Sequence, residues 1–249
     1  MWKEPFAYCV DFLPLTGGAG LAYTNFEIKT PPNCDFEVIR SIHQATSNMV
    51  NLRILNATTG RDVLRGQGDL RGISSTSFSG ITPNGFTPYT WPIPYYLVAG
   101  TELNVSAADN SGVDNNVRFV LHGNNIYSND APYEGRKTRE SYSFAISSGA
   151  LAAYGTVTKT LLLDTNAGFL VSKLTGEADG AATVLIQDKR PWSSRDIHFN
   201  NMVGNSQFGN SLTSRRWMPE KTMVSVRFTD ISGSANSITI SFHGERVYL

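Results

Sequence analysis

The stretch Gly100–Tyr127, GTELNVSAADNSGVDNNVRFVLHGNNIY, aligns without a gap onto Lys221–Tyr248, KTMVSVRFTDISGSANSITISFHGERVY. Thr101/Thr222, Val105/Val226, Asp109/Asp230, Ser111/Ser232, Gly112/Gly233, His122/His243, Gly123/Gly244 and Tyr127/Tyr248 are identical pairs. Chance does not spread identities so evenly, and self-similarity at this distance marks a repeated unit. Leu103 and Val105 alternate with polar residues, as do Val224, Val226 and Phe228; then Val117, Phe119 and Leu121 alternate, as do Ile238, Ile240 and Phe242. A period of two is that of a strand with one buried face. The polar Asp/Ser/Gly segment between the runs predicts a β-hairpin turn in each copy. His-Gly is expected to end the return strand, the glycine marking a bulge or a positive φ that re-aims the last residues.

Weaker echoes upstream keep the same order. Asn33-Cys34-Asp35-Phe36-Glu37-Val38 matches Asn166-Ala167-Gly168-Phe169-Leu170-Val171, and Arg61-Asp62-Val63 matches Arg195-Asp196-Ile197. The runs before those Arg-Asp pairs, Leu52–Leu55 and Thr183–Ile186, also correspond. Each half then has a long polar stretch ending in an aromatic and proline cluster, Tyr89–Pro94 and Trp217–Pro219. The reading is an all-β chain of two tandem β-sandwich, jelly-roll-like domains related by internal duplication, each with seven or eight strands. The first copy is expected over residues 1–130, a linker over 131–140 (polar and charged from Ser128 to Glu140), and the second copy over 141–249, where Tyr142, Phe144 and Ile146 restart the alternation as Phe6, Tyr8 and Val10 begin it.

Composition agrees: 41% of residues are hydrophobic and only 17% charged, with short Val/Ile/Phe/Tyr/Thr runs bounded by Gly, Pro, Asn and Asp and no long helical periodicity. Lys+Arg and Asp+Glu are 21 each, for a formal net charge of zero. No global field draws such a chain to nucleic acid or an anionic membrane, and neither is expected as a partner. The basic grouping Arg215, Arg216 and Lys221 reads as solvated surface. Glu4 and Asp11 interrupt any apolar run at the start, so no secretory signal or spanning helix is expected and the chain is read as made in a cytoplasm. Cys9 and Cys34 have no counterparts in the second half, which favours reduced thiols over a disulfide.

Catalytic and metal motifs are not found. His122 and His243 sit at matched strand ends without Cys, Asp or Glu at ligand spacing, and His43 and His198 are isolated; the matched pair is expected to satisfy backbone groups. The Asp109–Asn116 loop departs from a calcium loop at Ser111 and Val113 and reads as a turn. Arg61, Asp62, Arg195 and Asp196 suggest turn hydrogen bonds or an ion pair to the following loop. These eight residues, His122, Gly123, His243, Gly244 and the two Arg-Asp pairs, are assigned to structure. No enzyme activity and no cofactor are expected.

The long loops Gly66–Thr90 and Phe199–Arg216 are where contacts would be made. Phe78, Phe86, Tyr89, Trp91, Tyr95 and Tyr96 concentrate aromatic surface near the first, and Arg215, Arg216 and Trp217 flank the second, making these nine the candidate interface. The ending of each copy also carries a resemblance. Trp91-Pro92-Ile93-Pro94, Asp109–Gly112 and Leu121–Tyr127, then Trp217-Met218-Pro219, Asp230–Gly233 and Phe242–Tyr248, resemble the repeated domain ending of virion structural proteins of tailed bacteriophages. That resemblance implies a capsid-decoration, neck or tail-associated part, found in the virion, with other virion proteins as partners and self-association into a homo-oligomer. The alternative is a carbohydrate-binding or adhesion module that uses its aromatic loops to hold a glycan.

Overall fold

The computed structural model describes residues 1–15, 23–46, 50–63, 68–69, 75–76, 89–129, 139–204 and 209–248. The chain forms two compact units. One contains the described residues of Tyr8–Ser77 and Thr87–Tyr127; the other contains Met1–Ala7 together with those from Ser128 onward.

The strands of the first half are Trp2–Leu15 (β1), Thr24–Lys29 (β2), Asp35–Ala45 (β3), Val50–Asn56 (β4), Arg61–Asp62 (β5), Gly68–Asp69 (β6), Ser75–Thr76 (β7), Tyr89–Leu97 (β8), Glu102–Asp109 (β9) and Asn115–Tyr127 (β10). One sheet runs β1-β10-β3, with β7 and β8 both on β3; the other runs β2-β9-β4, with β5 and β6 both on β4. Phe36, Ile42, Leu52, Ile54, Val105 and Phe119 fill the space between them, and Tyr8 meets Phe36 edge-on at 4.9 Å.

The second half has Arg139–Leu151 (β11), Thr156–Leu162 (β12), Ala167–Ala178 (β13), Ala182–Gln187 (β14), Ile197–His198 (β15), a one-turn helix Phe199–Met202 (α1), Asn210–Met218 (β16), Met223–Asp230 (β17) and Asn236–Tyr248 (β18). Its sheets are β11-β18-β13-β16 and β12-β17-β14-β15. Counted within the copy, that order is 1-8-3-6 and 2-7-4-5, an eight-stranded jelly roll. With the two-residue strands β6 and β7 set aside, the first half repeats it strand for strand. The upstream echoes fall on equivalent register positions: Val38 lies opposite Gly123 and Val171 opposite Gly244. The core aromatics of this unit pack closely, Phe144 stacking on Phe242 at 4.7 Å and meeting Phe169 at 5.2 Å.

The expected hairpins are not hairpins. β9 bonds to β2 and β4, while β10 bonds to β3 and lies beside β1; β17 and β18 part in the same way. Alternation records which side of a strand faces the core, and both runs face the same core from opposite sheets. The chain between them therefore crosses the sandwich, and a buried aspartate holds the crossing. The Asp109 carboxylate accepts from Ser111 N–H (2.9 Å), Ser111 O–H (2.6 Å) and Asn115 Nδ2 (2.8 Å). Asp230 accepts from Ser232 O–H (2.6 Å), Asn236 Nδ2 (2.9 Å), Gly233 N–H (3.1 Å) and Tyr154 N–H (2.9 Å).

Burial alone would push the Asp109 carboxyl up, but the bonds from Ser111 and Asn115 outweigh it and hold the group below its ordinary value of 3.8. The hydroxyl of Ser232, opposed by burial and joined by Asn236, holds Asp230 further below. A carboxylate that binds its proton less readily when folded contributes stability at pH above its unfolded value, and loses that contribution as pH falls through its folded value. Wild-type melting temperature is expected to fall steadily below about pH 4. The D109N/D230N double variant should show a flatter acid limb, and equal limbs would exclude the two aspartates as the cause.

The interval expected as a linker, 131–140, contains strand residues at its end. Residues 131–138 lie outside the described residues, and Arg139 and Glu140 already pair with Val247 and Arg246 in β11. The second expected loop, Phe199–Arg216, is shortened too, since α1 occupies its start and β16 begins at Asn210. Cys9 and Cys34 are both buried, and they are not joined in a disulfide.

Candidate interface on the edge strands

The two aromatic clusters fall on equivalent strands. Tyr96 pairs with Glu37 and Leu97 with Phe36 in the first copy; Trp217 pairs with Leu170 and Met218 with Phe169 in the second. β8 and β16 therefore hold the same place, beside the third strand of each copy.

Phe78 and Phe86 lie outside the described residues. On β8, the register jumps from Arg40 opposite Thr90 to Val38 opposite Tyr95, so Trp91–Pro94 bulge against the single residue Ile39. Proline has no N–H to give a ladder, which is why an edge strand tolerates two of them at a bulge. Trp91 Nε1 donates to Ser41 Oγ at 3.0 Å, Asn56 Nδ2 reaches the Tyr95 hydroxyl at 3.5 Å, and the two rings lie 6.5 Å apart. Those two side chains are partly buried and serve the unit. Tyr89 and Tyr96 are exposed, Tyr96 to 59%, and they are joined by Ile93 at 79% and Val98 at 69%. The last two were missed in the sequence, where the prolines on either side of Ile93 signalled a side chain that no regular ladder turns inward.

Of the three candidates on β16, Arg215 is displayed; it reaches Glu245 at 3.2 Å, which also takes Arg139 at 3.4 Å. Arg216 and Trp217 correct the sequence reading. Trp217 is 5% exposed and packs with Leu170 and Val247, its ring lying where a Cβ on Gly168 would be. Arg216 is 1% exposed and is not solvated surface. Its guanidinium meets Asp188 at 2.9 Å and Glu4 at 3.3 Å, donates to the carbonyls of Arg190 (3.2 Å) and Pro5 (3.3 Å), and sits 5.1 Å from the Trp192 ring centre. A guanidinium fork suits such a site because it is always charged and offers five donors.

The residues assigned to structure are placed as follows. His243 lies between two hydroxyls, Ser143 Oγ at 2.8 Å from Nδ1 and Thr175 Oγ1 at 2.7 Å from Nε2, in place of the backbone groups expected. Burial, with Lys173 nearby, holds its pKa below the usual value. His122 is buried opposite Arg40. Neither histidine ends its strand; β10 and β18 continue to Tyr127 and Tyr248. A register shift falls beside each His-Gly pair, but the residue passed over is Ile39 of β3 and Ser172 of β13, so the bulge is on the facing strand and not at the glycine. Positive φ is not the reason for either glycine. A Cβ on Gly123 would overlap the Glu37 carbonyl oxygen and stand 2.7 Å from Phe36 Cζ, and one on Gly244 would overlap the Leu170 carbonyl oxygen and stand 3.0 Å from Val171 Cα. Asp62 pairs with Arg53 (3.2 Å) and Asp196 with Arg227 (2.6 Å), so these ion-pair partners come from β4 and β17 and not from the loop that follows each Arg-Asp pair. Among the described residues no three His, Cys, Asp or Glu side chains gather as metal ligands, and no helix is long and apolar enough to cross a membrane.

No family model matches the chain, and no curated protein matches it. Among solved structures it is similar to A223, a turret protein in Sulfolobus turreted icosahedral virus, at 12% identity over 96% of this chain and 98% of that one, with a TM-score of 0.23. It is also similar to the PBSX exported protein XepA, at 10% identity over 98% of this chain and 85% of that one (TM-score 0.19). A third is a chain of infectious bursal disease virus, Gx strain, at 10% identity over all of this chain and 71% of that one (TM-score 0.23). At such scores what those proteins do is said of them alone.

Proposed function

We propose that this chain is a non-enzymatic structural protein of a virus particle, a capsid-decoration, neck or tail-associated component of a tailed bacteriophage that binds other virion proteins and copies of itself. The observation that carries the reading is the tandem jelly roll: the same eight-strand order is built twice in one chain. Jelly rolls recur in viral capsid and lectin domains, and the repeated ending resembles that of phage virion proteins. The exposed apolar group Tyr89, Ile93, Tyr96 and Val98 on β8 supplies a contact surface of the kind that marks association.

Quantitative mass spectrometry of purified particles, with antibody labelling by electron microscopy, tests the reading. A fixed copy number per particle at one location is expected; a protein abundant in the lysate and absent from particles would sink it. The exposed Tyr89 and Tyr96 favour a second reading, a glycan-binding module in which these rings stack on sugar. I93S/Y96A is expected to cut attachment to particles lacking the native protein while changing stability by less than about 1 kcal/mol, since surface substitutions each stay within about 0.5 kcal/mol. A glycan-array signal abolished by Tyr96→Ala, with attachment intact, would reverse the order of the two readings.

A further inference from the structure

We infer that Met1–Ala7 is an exchangeable strand whose seat, in the unit formed with the residues from Ser128 onward, accepts the same segment from a second copy of this chain. The seat is built for an extended peptide. Ala7 N–H donates to the Trp192 carbonyl at 3.1 Å and Ser194 N–H to the Ala7 carbonyl at 3.0 Å, a parallel bridge at Ser193. Ser214 Oγ donates to the Lys3 carbonyl at 3.2 Å and Arg216 Nη1 to the Pro5 carbonyl at 3.3 Å. Pro5 stands where the seat takes a carbonyl, so its missing N–H costs nothing there.

Side chains add the selectivity. Glu4 is 3% exposed and meets Arg190 at 2.9 Å and Arg216 at 3.3 Å, while the Arg190 guanidinium lies 5.8 Å from the Trp2 ring centre. Backbone pairing for affinity and one buried side chain for identity is the pattern of strand addition.

The occupant follows from connectivity. All of Tyr8–Tyr127 lies along the chain between this segment and the seat residues Trp192, Ser194, Ser214 and Arg216. The segment is tied to its seat through the folded strands β1 to β10 and not by a short loop, so the advantage of the chain's own segment is an effective concentration set by that connection. Every contact above is the same whichever copy supplies the strand, the condition under which identical elements exchange between protomers. The inference does not depend on the virion reading.

Full-length protein tests it. Heavy-isotope and light protein are mixed, incubated below the melting temperature and treated with an amine-reactive cross-linker. Lys3 and Lys189 are both exposed and each adjoins one partner of the Glu4–Arg190 pair. Mixed-isotope Lys3–Lys189 cross-links are expected, increasing with protein concentration and falling several-fold when a synthetic peptide of the Met1–Ala7 sequence is added in excess. Glu4→Gln in both preparations should also lower them several-fold. Cross-links confined to same-isotope pairs at every concentration would overturn exchange, as would mixed cross-links that the peptide leaves unchanged.

Discussion

Arg216→Ala is expected to destabilise its unit by about 3–5 kcal/mol, the usual loss when one member of a buried ionic group is removed and its partners stay behind. Two carboxylates, Glu4 and Asp188, lie against the guanidinium, which is almost wholly withdrawn from water. Without it both must remain charged in a site with less compensation or take up protons. Arg216→Lys should recover little, because one ammonium cannot serve two carboxylates and two carbonyls in the same plane. Arg215→Ala is the internal control: Arg215 is exposed and its partner Glu245 half-buried, so the loss should stay below about 1 kcal/mol. Urea unfolding of the three variants checks the order, and equal midpoints for the two alanine variants would contradict the burial argument.

Gly244→Val should cost about 3 kcal/mol or more, through overpacking against a backbone that cannot withdraw. The β13 strand passes so close to Gly244 that a Cβ there would overlap the Leu170 carbonyl oxygen. The equivalent crowding by Glu37 predicts the same for Gly123→Val. Asparagine separates the two possible causes. It tolerates positive φ well and relieves nothing sterically, so Gly244→Asn should be nearly as damaging as valine, whereas a mild effect would restore the dihedral explanation. Thermal melting of Gly244→Ala, Gly244→Asn and Gly244→Val decides it.

These two sites show where the sequence was readable and where it stopped. The all-β class and the duplication were legible because they depend on period and on repetition, which are properties of one strand or of two copied strands. Which strand lies beside which is another matter. Val117, Phe119 and Leu121 alternate just as they would in a hairpin, and alternation holds no record that β9 belongs to the opposite sheet. Arg216 was read as surface because it stands in a basic grouping with Arg215 and Lys221; what buries it, Glu4 and Asp188, lies far away along the chain. The partners of Asp62 and Asp196 were hidden by strand pairing, which brings Arg53 and Arg227 beside them from 9 and 31 residues away. Tyr89 and Tyr96 are displayed, but Trp91 and Tyr95 have hydrogen-bond partners on β3 and β4 that no local pattern announces.

Pro92 and Pro94 limit how β8 can be used. An open strand edge ordinarily offers a row of N–H and C=O groups on which any extended chain can grow, and proteins that leave such edges bare aggregate. Here Trp91–Pro94 leave the ladder against Ile39, and two of the four residues have no N–H. Growth of the sheet in that direction is blocked at its middle. Crowding many copies together, as any dense assembly must, therefore carries little risk of fibrous association through this edge. Whatever binds there must do so by the shape and chemistry of Ile93, Tyr96 and Tyr89, so that affinity at β8 can be tuned by single side chains without opening a route to amyloid.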